Sequence, residues 1–318
     1  MTETTIVSRL DGGTVSGKES GIGRIETSES DHTSPKGELP RTVYTPESPL
    51  RRPAELFRAM VRDLLASREL AWRLFVRDTR AQYRNSVLGY LWVFIPPLVA
   101  ALPFVYLNNQ GIIQMGKTPI PYGAYAMVGT IVWQVFIDAL NSPLRTVMAA
   151  RSMLVRINFP REAILLSGLM QVGLSFLVRL ILLIAVLAWF HIVPPVTVLL
   201  FPLGILSLVI TGFMIGLLLT PVGMLYGDVQ QAVPIFSTFL MLLTPVLYPV
   251  PQTGFAAMVA ALNPLTPLVV TTRNWLAIGT LPPADGFVAV TLVATVLLLT
   301  GWIAYRVALP HIIARLGN

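Results

Sequence analysis

Arg73, Arg77, Arg80 and Arg84 follow one another at intervals of 4, 3 and 4 residues, so on a helix they form one stripe. A row of planar guanidinium forks is suited to phosphate oxygens, including those of lipid headgroups. Trp72, Val76 and Tyr83 make the neighbouring stripe. An apolar stripe beside an arginine row is the pattern of a helix lying in a membrane interface. Asp138 and Arg179 offer a second chemistry, because each interrupts an otherwise apolar run. A charge at the bilayer centre costs about 2.5–3.5 kcal/mol on insertion scales, so such groups pair or face water. Asp138 lies about 13 residues and Arg179 about 15 residues into oppositely directed runs, which brings them to a comparable depth at 1.5 Å per residue. The expectation is an ion pair between adjacent helices of one subunit, or else two charges that face water.

Other reactive groupings are missing. No Gly-rich loop ending in Lys-Ser/Thr is present to hold a nucleotide phosphate. His32, His191 and His311 lie in separate regions without metal-ligand spacing, and there is no cysteine. Asp285 has no second carboxylate for acid–base work on a glycoside or lipid-linked sugar. The expectation is a chain with no catalytic residues, no metal and no cofactor of its own.

Composition says where such a chain lives. Of its 318 residues 54% are hydrophobic and 12% charged, with mean hydropathy +0.68; soluble domains carry about 25% charged residues. Beyond Arg84 the acids number only four, Asp138, Glu162, Asp228 and Asp285. The net charge of +7 is therefore no nucleic-acid footprint, which would need a solvated basic face.

The elements that must position these residues follow in order. Residues 1–50 are rich in Ser, Thr, Gly, Glu and Pro and read as a disordered cytoplasmic tail. Residues 51–85 hold two amphipathic interfacial helices, at about 53–65 and 67–84. Residues 86–318 form the membrane domain, with apolar spans expected near 87–108, 121–143, 164–190, 197–219, 232–249 and 286–306. Between the fifth and sixth, residues 254–280 are too apolar for a solvated loop, yet Asn263-Pro264 and Pro267 cut them into pieces too short to cross. A pair of re-entrant half-helices is expected there. The fold class is thus an all-α integral membrane protein with six transmembrane helices. With the N-terminus inside, fifteen arginines flank the cytoplasmic side, against Lys117 and Arg273 outside. Both termini are expected in the cytoplasm.

At this point the stretch RDTRAQYRNSVLGYLWVFIPP (77–97) resembles the signature of permease subunits of type-2 ABC exporters, in the polysaccharide branch. Residues 154–169, 226–251, 263–276 and 309–317 resemble further segments of that branch. Where the family commonly has an Arg before the Asp of the loop between the fourth and fifth spans, this chain has Gly227, so Asp228 is given no role. The resemblance implies a homodimeric channel in the plasma membrane, driven by separate ABC ATP-binding subunits that hold ATP and Mg. It implies as cargo a polysaccharide on a polyprenyl diphosphate; O-antigen, teichoic acid and galactan all suit. Arg73, Arg77, Arg80, Tyr83 and Arg84 then become the site for the anionic head. Arg151, Leu154, Arg156, Phe159, Pro160, Arg161 and Glu162 become the segment that couples to the ATPase. Trp92, Phe94, Phe104, Tyr106, Trp133, Phe136 and Tyr248 become channel aromatics over which sugar rings slide. An exporter of another lipid or a drug, and a polytopic glycosyl- or acyltransferase, remain as alternatives.

Overall fold

In the computed structural model, residues 53–84, 86–156, 161–281 and 283–316 are described, and among them every regular element is a helix. The segment at 1–50 lies outside them. Two helices come first, α1 (Pro53–Ala66) and α2 (Arg68–Arg84). Then follow α3 (Ile95–Asn109), α4 (Tyr122–Ala149), the short α5 (Arg151–Arg156) and α6 (Arg161–Trp189). The rest comprises α7 (Phe201–Leu225), α8 (Asp228–Leu243), α9 (Gly254–Leu262), α10 (Leu265–Arg273) and α11 (Asp285–Leu316).

Four helices are long and apolar enough to cross a membrane: α4, α6, the run Val196–Leu225 that contains α7, and α11 as far as Leu309. They stand where the second, third, fourth and sixth spans were expected. The first and fifth expected spans are shorter than anticipated. A 3-10 turn takes Gly89–Val93, with Gly89 at φ +50°, and leaves α3 only 15 residues. At 1.5 Å per residue that is about 22 Å, against roughly 30 Å of hydrocarbon. Pro96 and Pro97 fit its first turn, and Pro103 sits inside it, where it removes one helical hydrogen bond. The helix α8 has 16 residues and ends just before Pro245. Its terminal carbonyls meet a residue that has no N–H to donate.

The stretch 254–280 does break in two. The helix α9 and the unit Leu265–Ile278 pass as apolar only together, and they are bent by 92°. This is the geometry of a re-entrant pair or a broken span. Asn263 makes the corner: its Oδ1 accepts the Leu265 N–H at 2.9 Å, while its Nδ2 donates to Thr244 Oγ1 at 2.8 Å. The break is thereby tied to the end of α8.

At the centre stands α4, packed against α3, α6, α7 and α10. Lipid tails are as apolar as leucine, so helices associate in a bilayer through close packing. Gly212 and Gly216 on α7 supply it, since a Cβ there would fall on the Phe136 and Leu140 carbonyls of α4. Of the apolar window of α4, 78% is buried, against 28% for α6 and 17% for α11. The hydropathies run the opposite way, 1.4 for α4 against 2.5 and 2.3. The helices that face outward carry the grease.

Candidate functional site

The arginine stripe sits on α2. Ala71, Leu74 and Thr79 are buried on the side that packs on α6. The opposite side is a shallow groove of about 550 Å³ lined by Trp72, Arg73, Val76, Arg77, Arg80, Ala81 and Arg84. Arg73 is held by Glu69 at 2.6 Å and Arg77 by Asp78 at 2.8 Å. Arg77 Nη1 also donates to Met153 Sδ of α5 at 3.4 Å, so the stripe touches the expected coupling segment. Among the described residues Arg80 and Arg84 have no carboxylate partner. Two cations are thus uncommitted at the end of the row nearest the membrane domain.

Tyr83 falls between them in the sequence, its ring 4.2 Å from that of Tyr90. Burial, and then the neighbouring Tyr90, push its phenol up from the usual range, opposed by Arg145 and Arg179. The hydroxyl stays protonated, a neutral donor beside the cations.

Deeper in, Arg179 of α6 meets Asp138 of α4, Nη1 to Oδ2 at 2.5 Å. Its Nε donates to the Val93 carbonyl at 3.2 Å. The break between the 3-10 turn and α3 exposes that carbonyl to a side-chain donor, and the guanidinium fills the need. Gln134 Nε2 reaches Asp138 Oδ1 at 3.5 Å, and Arg145 Nη2 donates to Gln171 Oε1 at 3.2 Å. Arg179's side chain is 4% exposed and Asp138's 21%. The carboxylate is the more exposed member.

The coupling segment is placed in part. Leu154 of α5 is buried in one cluster with Ala71 and Leu74. Glu162, in the first turn of α6, accepts from Arg306 Nη1 at 3.1 Å, and Arg306 Nη2 also binds Asp63 of α1 at 2.5 Å. Arg161 Nη1 donates to the Arg306 carbonyl at 3.4 Å. Leu154 and Glu162 are therefore turned into the subunit, where they anchor the segment. Arg151 is half-buried and Arg156 ends α5, while Phe159 and Pro160 lie outside the described residues.

The aromatics divide. Trp92 and Tyr106 are exposed, and Phe94, Phe104 and Tyr248 half-buried. Trp133 and Phe136 are enclosed in the core with ring centres 5.1 Å apart, so their faces are taken by packing. No aromatic face is left there for a passing sugar.

One expectation is corrected outright. Arg273, counted among outward loop charges, is fully buried. Its guanidinium lies over the Tyr125 ring and donates to the Pro245 and Val246 carbonyls at 3.3 and 3.0 Å. The apolar neighbours Trp275 and Leu276 were a signal for this. The Arg306 junction gave no local sign, because its partners lie 144 and 243 residues away. Among the described residues no three His, Cys, Asp or Glu side chains gather as metal ligands.

Residues 69–276, which run from the arginine helix through the bent pair, match the family described as ABC-2 type transporter. The chain belongs to that family. The O-antigen export system permease protein RfbA of Myxococcus xanthus is 27% identical over 246 residues, covering 75% of this chain and 92% of that protein. A Klebsiella pneumoniae protein of the same name is 25% identical over 210 residues, 64% of this chain and 79% of that one. With its apolar helices, this ABC-2 type transporter chain is a multi-pass membrane protein.

Proposed function

We propose that this chain is the permease subunit of an exporter that moves a polysaccharide, linked to a polyprenyl diphosphate, from the cytoplasm across the plasma membrane. The observation that carries the reading is the likeness to an O-antigen export permease along 92% of that relative's length. The groove on α2 supports the lipid-linked form of the cargo. Arg80 and Arg84 lie open there with no acid beside them, and a diphosphate supplies the planar pairs of oxygens that guanidinium groups take.

In this reading α1 and α2 lie in the inner membrane interface, both termini are cytoplasmic and two copies form the channel. Energy comes from a separate ABC ATP-binding subunit that holds ATP and Mg, since the sequence has no phosphate-binding loop. That partner docks on the segment 151–162, through Arg151, Arg156, Phe159 and Arg161. The channel aromatics narrow to Trp92, Phe94, Phe104, Tyr106 and Tyr248.

The test is reconstitution into proteoliposomes with and without the ATP-binding subunit, with a labelled lipid-linked glycan on one leaflet. ATP-dependent passage of the glycan is expected only with both chains, and no ATP hydrolysis from this chain alone. R80Q with R84Q should abolish passage while leaving the two subunits associated. Hydrolysis by the isolated chain, or passage without the partner, rejects the reading.

A further inference from the structure

Between Ala124 and Val147, α4 is buried at every position except Gln134, Ile137, Asp138, Asn141 and Arg145. Four of those five are polar. Gln134, Asp138, Asn141 and Arg145 step by 4, 3 and 4, so over this stretch the least covered face of the central helix is a polar row, half-buried except at Arg145 and with Ile137 beside it. At 1.5 Å per residue the row is about 16 Å long. Gln171 and Arg179 of α6 flank it through the bonds to Arg145 and Asp138.

The other open faces are of the opposite kind. On α6 they are Leu177, Ile181 and Ile184, and on α11 Leu292, Val293 and Val296. Those residues suit lipid tails, whereas amides and a carboxylate facing hydrocarbon would be costly. The open face of α4 is therefore turned to water or to something polar. Its groups also have hydrogen-bonding capacity to spare. Asn141 Nδ2 is used on the Ile137 carbonyl of its own helix, and Gln134 Nε2 on Asp138. Among the described residues Asn141 Oδ1, Gln134 Oε1 and Gln171 Nε2 make no hydrogen bond.

We propose that this row is a polar lane that binds the hydroxyl-rich sugar part of the cargo. The inference rests on the function proposed above and deepens it. The lane lies near the arginine stripe: the Tyr83 ring of α2 rests 4.2 Å from Tyr90 in the 3-10 turn, and the Val93 carbonyl of the same turn accepts from Arg179. A diphosphate held at Arg80 and Arg84 thus brings the first sugars of the chain to Arg145. Amide, carboxylate and guanidinium groups at one-turn spacing offer hydroxyl groups both donors and acceptors. The ion pair holds Asp138 in place and leaves its exposed edge to the cargo. The apolar open faces of α6 and α11 offer this row no hydrogen-bonding partner, so its occupant must itself be polar.

The chain contains no cysteine, so single-cysteine variants report one position each. The full-length protein in nanodiscs, as N141C, Q134C or the lipid-facing control I181C, is treated with a charged, water-soluble methanethiosulfonate. Because the hydrated thiolate attacks that reagent, forming a mixed disulfide and expelling methanesulfinate, N141C and Q134C should react at least about tenfold faster than I181C. Farnesyl diphosphate carrying a hexose disaccharide should slow N141C; farnesyl diphosphate alone should not. In a second arm N141L and Q134L should each bind the disaccharide probe about five-fold more weakly, the size of one lost hydrogen bond, with farnesyl diphosphate bound as before. Their melting temperatures should not fall, since each change removes no bond between helices. R80Q with R84Q should weaken both probes, which tests the diphosphate reading separately. The lane is refuted if N141C reacts no faster than I181C, or if an oxidant joins N141C to its second copy. It is equally refuted if N141C reacts quickly but neither N141L nor the disaccharide probe has any effect. Wild type that binds neither probe overturns the proposed cargo and the lane together.

Discussion

Arg273 holds its guanidinium carbon 3.7 Å from the centre of the Tyr125 ring, in an interior where its other partners are two backbone carbonyls. The charge is spread over a π face and the dipoles of Pro245 and Val246, which joins α10 to α4 and to the turn after α8. The ring is the larger part of this contact, although Tyr125 also donates its hydroxyl to the Tyr248 carbonyl at 3.2 Å. Y125F should therefore cost little, whereas Y125L should lose about 2 kcal/mol, the worth of a desolvated cation–π contact. Thermal unfolding in detergent separates them; equal losses would show that the hydroxyl, not the ring, carries the joint.

Removing one member of the Asp138–Arg179 pair should cost about 3–5 kcal/mol, because an uncompensated charge stays behind. The two losses should differ. D138L strands a guanidinium that is 4% exposed, while R179L strands a carboxylate that keeps 21%. D138L should be the worse. The double variant D138L/R179L should recover much of the deficit, and strictly additive losses in that cycle would show that the charges do not support one another.

Arg306 binds one buried and one open acid, Glu162 at 8% and Asp63 at 37% exposure. Exposed ion pairs contribute about 0–1 kcal/mol, so D63N should be mild. R306Q leaves Glu162 buried without its cation and should be several-fold more damaging. It should also free α1 from α6 and α11, seen as faster proteolysis within residues 53–66. Protection unchanged in R306Q would mean that packing alone holds α1.

Gly216 has no room for a methyl group, since a Cβ would collide with the Leu140 carbonyl, whereas nothing lies within 4 Å of the Cβ position at Gly173. G216A should lower the melting temperature by several degrees, as a forced shift in a packed interface costs about 1–3 kcal/mol. G173A should be neutral or slightly stabilising. A neutral G216A would show that α4 and α7 separate without penalty.

Much of this was readable beforehand, and the reasons are local. Arg73 to Arg84 announce their stripe by spacing, Asp138 and Arg179 announce a meeting by depth, and Asn263-Pro264 announces the bend. What escaped reading depended on distant partners. Hydropathy cannot tell that Gly89 and Val93 turn before α3 begins, because a 3-10 turn and a helix share the same apolar letters. Arg273 reads as a loop charge until Tyr125, 148 residues earlier, is seen beneath it. The open row on α4 has helical spacing too, but that spacing gains meaning only once every other side of the helix is known to be covered.

The inverse relation between burial and hydropathy in α4 has a consequence for how the protein is made. Translation delivers α4 to the bilayer before α6 and α7 exist, with a window hydropathy of 1.4 and Gln134, Asp138 and Asn141 still bare. On its own it is the weakest of the four long helices at partitioning into lipid. Residence there becomes favourable when Arg179 arrives to meet Asp138 and Gly212 and Gly216 close on the carbonyls of Phe136 and Leu140. The ion pair and the glycine face are thus assembly signals as well as native contacts. A nascent chain that stops short of residue 216 should be left with α4 only loosely inserted, exposed to the quality-control proteases of the membrane.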